Sequence, residues 1–344
     1  MNILIVSNTA IPVAAYGGQE RVVWWLGKAL AQLGHQVTYL VKKGSECPFG
    51  TVLTLHEKKP LAPQIPENID VVHFHYTPQE PENITKPLLI TCHFNAAEAQ
   101  TFHPNTVFLS GNHAQRHGGS VFVHNGINLE DYGAPMTDNR RMYFHFLGKA
   151  AWRVKNVRGA IEIAGLAEER LHIIGGSRLS FRMGLNMLSP HARFHGMVGG
   201  YGKNALIQSS KGLLFPTLWH EPFGLSIPES LYFGCPIFGT PYGALPELLG
   251  AKMHAGRSGT GIVEAVHSEF GFLSVKKQEL AEALREADQY DRLKCQEYAK
   301  DMFSSLVMAR HYLNLYEQVA NSHALHATAP VCHKIADGKL LPLD

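Results

Sequence analysis

The chain has 344 residues, too many for one typical domain and enough for two that each bury a proper core. Hydrophobic residues at 45% and charged ones at 17% describe a globular protein, not a disordered or membrane-embedded chain, and a net charge of +2 offers nucleic acid no concentrated basic face. No run approaches the roughly 20 apolar residues that a spanning helix needs, and the chain starts straight into an apolar strand without the basic opening of an export signal, so a cytoplasmic location is expected.

Five cysteines, Cys47, Cys92, Cys235, Cys295 and Cys332, form no CxxC pair and suit reduced thiols better than a disulfide framework. Twenty histidines invite a metal, most of all at His73 and His75, which period-two alternation aims to one face of a strand. No third ligand stands near them in sequence, and no metal site is expected.

The first strand is Ile3 to Ser7. Gln19 to Leu33 follows as a helix, because Val22, Val23, Leu26, Leu30 and Leu33 repeat at helical spacing, and Gly34 ends it. Apolar runs recur at Val37 to Val41, Val52 to Leu55, Val71 to His75, Leu88 to Thr91, Val107 to Ser110 and Val121 to Val123. Short buried strands separated by helices or loops predict an α/β domain with a parallel sheet. A polar stretch around Asp131 to Arg141, with Gly133 and Pro135, predicts the boundary, giving a first domain of residues 1–136 and a second of 137–305.

The second half repeats the pattern with strands at Tyr143 to Leu147, Leu171 to Ile174, Leu213 to Phe215 and Pro236 to Gly239. Helices are expected from about Val157 to Leu166, near Glu229 to Phe233, from Lys277 to Ala287 and from about Ala309 to Val319. Residues 321–344 show weak periodicity and read as an appended tail.

Two consecutive Rossmann-like halves bind ligands at the carboxyl ends of their strands and in the cleft between them. A dehydrogenase would satisfy that description, but the turn after the first strand, Asn8-Thr9-Ala10-Ile11-Pro12, lacks GxGxxG, and the Walker pattern is absent as well. The most informative segment runs from Phe215 to Glu229, where Glu221 and Glu229 flank a loop that leaves a strand and opens a helix. Gly224 allows close backbone approach, and N–H groups at the helix start suit phosphate or hydroxyl oxygens. Carboxylates accept hydrogen bonds from the vicinal hydroxyls of a hexose or a ribose. The plainer alternative is that Glu229 complements its helix N-terminus while Glu221 is solvated.

This spacing resembles the E-x7-E signature of the retaining glycosyltransferases of family 4, which have the GT-B architecture of two Rossmann-like domains facing each other across a cleft. Other segments match in order. Gly17-Gly18-Gln19-Glu20 resembles the family's Gly-Gly loop, Asp70 to His75 its DVVHVH strand, and Thr91-Cys92-His93 the site of its histidine. Asn125-Gly126-Ile127-Asn128 resembles its NGID turn, Gly148-Lys149 through Lys155-Asn156 its GR and KG element, and Gly243 to Glu247 its G-G-x-P-E turn. The likeness covers roughly residues 1–320. Lys149 stands where the family has Arg, Asn156 where it has Gly, and Asn128 where it has Asp, with Arg153 close enough to supply the lost guanidinium fork.

The resemblance implies that Glu221 faces the transferred sugar, Glu229 the ribose, and His93 the sugar from the other domain. Lys149 and Lys155 would stabilise charge growing on the leaving diphosphate, with Arg153 and backbone donors at Gly17, Gly18, Phe223, Gly224 and Leu225. Each lysine is otherwise an ordinary solvated residue, and His93 a core histidine. Glu20, His75 and Asn125 are assigned to the acceptor side. The last helix, 306–320, is expected to return to the first domain.

The implied reaction moves a hexosyl group, with retention, from a UDP- or GDP-sugar to a carbohydrate or glycolipid acceptor in glycan or glycolipid biosynthesis. No Asp-x-Asp occurs, so no metal or other cofactor is expected. Residues 1–137 hold 8 Lys and Arg against 10 Asp and Glu, so at most weak membrane association is expected. A sugar-nucleotide epimerase of the same architecture and a non-catalytic carbohydrate- or nucleotide-binding protein are the alternatives.

Overall fold

A computed structural model of the chain describes residues 1–13, 17–136, 138–177, 189–251, 265–333 and 340–344. The chain divides into two compact units, residues 1–128 with 303–337, and residues 129–302 with 338–344. The division falls at 128/129, eight residues before the boundary expected from the polar stretch.

In chain order the first unit builds β1 (Asn2–Val6), α1 (Gly18–Gln32), β2 (Gln36–Val41), β3 (Thr51–Thr54), β4 (Val71–Phe74), β5 (Leu88–Thr91), β6 (Gln100–Thr101), β7 (Thr106–Val107) and α2 (Gly111–Arg116). Its main sheet has the order β3-β2-β1-β4-β5-β7 with every pair parallel. Ile3 lies level with Val37 on one side and Val71 on the other, so β1 is central and buried on both faces. That explains why these strands read as unbroken apolar runs. Leu4, Val6, Leu40, Val72, Phe74 and Ile90 pack into one core on this sheet. The run Val121 to Val123, expected as a strand, contributes a single bridge between Phe108 and Phe122.

The second unit continues with β8 (Tyr143–Leu147), α3 (Val157–Leu166), β9 (Leu171–Ile174), β10 (Ala192–Phe194), α4 (Gly200–Gln208), β11 (Ser210–Phe215), α5 (Ser226–Tyr232), β12 (Ile237–Gly239), α6 (Leu245–Leu248), β13 (Val266–Ser268), β14 (Gly271–Leu273), α7 (Lys277–Arg285) and α8 (Arg292–Phe303). Its sheet has the order β10-β9-β8-β11-β12-β14-β13, parallel except for the antiparallel edge pair β13 and β14. Phe144, Phe146, Ile173, Leu214 and Phe238 form the sheet side of a core closed by Ile161 and Ile163 of α3 and Leu280 and Leu284 of α7. Each unit is thus a Rossmann-like parallel α/β domain.

The chain then returns to the first unit as α9 (Ser305–Ala320), whose Tyr312 and Tyr316 are fully buried, and as β15 (Val331–Cys332), which pairs antiparallel with β6. Ser304 caps α9, accepting from Val307 N. The last residues belong to the second unit again. Leu341 N donates to Leu218 O at 2.8 Å, Tyr242 Oη to Pro342 O at 2.7 Å and Asp344 N to Val275 O at 2.8 Å. The described residues of this stretch are therefore no loose appendage: 321–333 dock on the first unit and 340–344 on the second.

Candidate active site

In the second unit, β11 runs out at Phe215 into the loop that carries Glu221. Three contacts pin this loop to its own domain. Leu218 N donates to Val154 O at 2.7 Å, Thr217 Oγ1 donates to the same carbonyl at 3.0 Å, and Ala244 N donates to Glu221 O at 2.9 Å. Gly243, at φ 66°, lies against the backbone of His220 and Glu221 so closely that a Cβ would overlap Glu221 N and O. The Gly243-Ala244-Leu245-Pro246-Glu247 turn thus fixes where the glutamate begins.

Glu221 is 7% exposed. Its Oε2 accepts from Lys155 Nζ and, at 2.8 Å, from Trp219 Nε1. Its Oε1 accepts nothing among the described residues. Lys155 Nζ also lies 5.0 Å from the Phe215 ring and 5.4 Å from the Trp219 ring, so aromatic faces share the cation with the carboxylate.

Lys155 closes a 3-10 turn, Arg153–Lys155, and the next residue, Asn156, is left-handed at φ 54° and ψ 49°. Asparagine tolerates that conformation nearly as well as glycine, which accounts physically for Asn156 standing where the family has Gly. Asn156 also gives what glycine cannot. Its Oδ1 accepts from Gly159 N at 3.0 Å and so caps α3, while its Nδ2 donates to Pro216 O at 3.0 Å, tying the lysine turn to the glutamate loop. Lys149 and Arg153 are exposed, with Lys149 Nζ 5.3 Å from the Trp152 ring.

Glu229 lies in the first turn of α5 and is 1% exposed. Its Oε1 meets Lys203 Nζ at 3.0 Å and accepts from Tyr132 Oη at 2.7 Å, with Lys203 Nζ 4.7 Å from the Tyr132 ring. The sequence reading missed this pair of partners. Lys203 is an isolated lysine on α4 and Tyr132 an isolated tyrosine before the boundary, and neither carries a local signal. Beneath α5, His145 Nε2 meets Ser230 Oγ at 2.9 Å and its Nδ1 meets Ser210 Oγ at 2.8 Å; burial holds this imidazole down to about 3. Gly224 has φ 87°, a conformation open to glycine, between the buried Phe223 and Leu225, which heads α5.

In the first unit, Gly17 and Gly18 open α1, and the Glu20 carboxylate folds back against Gly17. His73, His75 and His93 stand together at the ends of β4 and β5. The His73 and His75 rings share one face, 4.1 Å apart, as alternation predicts. His73 bonds Tyr316 Oη at 2.8 Å and Thr91 Oγ1 at 2.7 Å, which ties α9 to the sheet. His75 Nδ1 meets His93 Nε2 at 2.8 Å, and His75 Nε2 is buried without a partner among the described residues. Burial holds His93 down to about 3 and His73 and His75 well below their ordinary value, so the cluster is neutral at pH 7. Asn125 is buried, and its Oδ1 has no partner among the described residues. Among the described residues no three His, Cys, Asp or Glu are placed to hold a metal.

The structure therefore brings Glu221 and Lys155 into contact, and His75 with His93, while Glu229 stands in a separate buried ion pair. The fold is that of the GT-B glycosyltransferases. It resembles AviGT4, a glycosyltransferase involved in avilamycin A biosynthesis, with a TM-score of 0.73 and 19% identity over 94% of this chain and 99% of that one. Sucrose-phosphate synthase from Thermosynechococcus elongatus follows at 0.68 and 18%, over 93% and 99%. Anabaena HepE in complex with UDP and glucose gives 0.63 and 14%, over 92% and 100%. Residues 141–287, within the second unit, match the family model of glycosyl transferases group 1. A comparison with curated proteins finds no match. Among the described residues no helix is long and apolar enough to cross a membrane.

Proposed function

We propose that the chain transfers a hexosyl group from a UDP- or GDP-sugar to a hydroxyl of a carbohydrate or glycolipid, with retention at the anomeric carbon and without a metal. Glu221 carries the reading: a carboxylate at the end of a parallel strand, with one oxygen held by Lys155 and Trp219 and the other, unpartnered among the described residues, placed to accept a sugar hydroxyl. Lys149, Arg153 and Lys155 supply positive charge for the departing diphosphate, Glu229 meets the ribose, and neutral His93 bonds a hydroxyl of the transferred sugar. UDP in complex with Anabaena HepE makes UDP the first nucleotide to test. A cytoplasmic location is in keeping with five free cysteines, and cell fractionation checks it.

The test uses UDP and a UDP- and GDP-sugar panel in thermal-shift and turnover assays, each with and without EDTA. A ligand at 100 times its Kd adds about 2.7 kcal/mol of stability. EDTA is expected to change nothing, and activity restored only by manganese or magnesium would refute the metal-free mechanism.

Variants of the two glutamates separate their roles. Glu221→Gln is expected to leave UDP affinity intact and to lower the transfer rate, because the sugar, not the nucleotide, meets it. Glu229→Gln breaks a buried ion pair, so a stability loss of about 3–5 kcal/mol is expected, well above the 0.3–1 kcal/mol of a helix-dipole effect alone. Lys203→Met destabilises similarly but keeps the carboxylate. UDP affinity lost in Glu229→Gln and kept in Lys203→Met identifies the ribose contact; affinity kept in both makes Glu229 structural.

A further inference from the structure

Phe94 follows His93 beyond the end of β5 and is 63% exposed. A large exposed aromatic is unremarked on a mobile loop, but this loop is held residue by residue. His113 Nε2 donates to Phe94 O at 3.2 Å, Arg116 Nη1 donates to Asn95 Oδ1 at 3.1 Å, and Ala96 N donates to His117 Nε2 at 2.9 Å. Three residues at positions i, i+3 and i+4 along α2 and its end thus hold three successive residues of the loop.

The scaffold is itself fully bonded. His113 Nδ1 accepts from Leu109 N at 3.2 Å, and His117 Nδ1 donates to His113 O at 2.7 Å, so each imidazole uses one nitrogen as donor and the other as acceptor and stays neutral. Burial favours the same state, holding His113 down to about 3. A loop this well anchored pays its ordering entropy in advance, and what it presents to solvent is one aromatic face.

We propose that Phe94 is the stacking platform for a sugar ring of the acceptor. This rests on the glycosyltransferase reading for its assignment to an acceptor, although the binding surface stands on its own geometry. The chemistry of the neighbours selects the ligand. The Phe94 and His93 ring centroids are 6.5 Å apart, so a ring stacked on Phe94 lies beside the sugar at His93, and His93 is neutral. A pyranose offers an apolar C–H face to the phenyl ring and keeps its rim hydroxyls in water. A charged ligand finds no counter-charge in these two side chains.

The test is saturation-transfer NMR on the full chain with methyl glycosides of glucose, galactose, mannose and N-acetylglucosamine as probes. At least one glycoside is expected to take saturation on its axial ring protons. Phe94→Ala is expected to weaken it about tenfold, and Phe94→Trp to hold it within about twofold. The thermal shift with UDP serves as the fold control and is expected to be equal in wild type and both variants. Binding by none of the four glycosides, or affinity unchanged in Phe94→Ala, overturns the proposal. Flotation of the wild type with phosphatidylcholine–phosphatidylglycerol vesicles that Phe94→Ala abolishes also overturns it, by assigning the ring to lipid. A glycoside effect at Phe94 in a chain that binds no nucleotide or nucleotide sugar keeps the platform and removes the transferase reading, so the two fail separately.

Discussion

A methyl group at position 243 has no room, because the backbone of Glu221 already occupies its place. Gly243→Ala must either strain a φ of 66° or push the glutamate loop away, and overpacking of this kind costs about 1–3 kcal/mol. A misplacement of about 1 Å at a reacting group lowers rates roughly 100-fold. The expected outcome is a large fall in kcat with UDP affinity little altered; full activity in the variant would show that the turn does not set Glu221. The glutamates and Gly243 were singled out because they resemble family motifs, which are patterns along the chain. Trp219, Tyr132 and Lys203 were not recognised as their partners, since contacts made by folding leave no mark on local sequence. Lys155 was singled out for diphosphate, and its contact with Glu221 emerged only in three dimensions.

Among the elements, α3 shows how one residue links two segments. Asn156 supplies a left-handed turn, a helix cap and a tie to Pro216, and substitutions separate the turn from the other two. Asn156→Gly keeps the conformation and loses both side-chain bonds, about 1 kcal/mol for the tie and a few tenths for the cap, whereas Asn156→Ala adds left-handed strain of about 1–2 kcal/mol. Unfolding midpoints are expected in the order wild type, Gly, Ala, and an alanine variant as stable as the glycine one would contradict this account. Most buried strands and the helices with apolar stripes, α1, α3 and α7, were legible from period alone. By contrast, α8 was missed because its buried face is Cys295, Gln296, Ala299 and Phe303, which has helical spacing but little hydropathy to reveal it. Short edge pieces such as β10 and β13 escaped for another reason: three residues do not establish a period.

For the molecule as a whole, the buried histidines set a pH dependence. His93, His113 and His145 are held down to about 3, and His73 and His75 lie well below their ordinary value, all chiefly by burial. As pH falls below about 6.5, the unfolded chain takes up these protons first, so stability is complete above that value and declines towards pH 3. Unfolding midpoints are expected to drop between pH 7 and pH 5, and His145→Gln to flatten that slope by up to one proton, about 1.4 kcal/mol per pH unit. A slope unchanged by the substitution would place the titration elsewhere. The chain's path has a consequence of another kind. Because α9 and β15 complete the first domain from beyond residue 302, and Leu341–Asp344 rejoin the second, no single cut yields two whole domains. A fragment of residues 1–128 would expose the sheet face that Tyr312 and Tyr316 cover, with His73 and Thr91 stripped of their hydroxyl partners. It is expected to aggregate alone and to be rescued when residues 303–333 are supplied as a separate peptide. Domain exchange between relatives would accordingly need three junctions, and a gene fused at one would encode two incomplete cores.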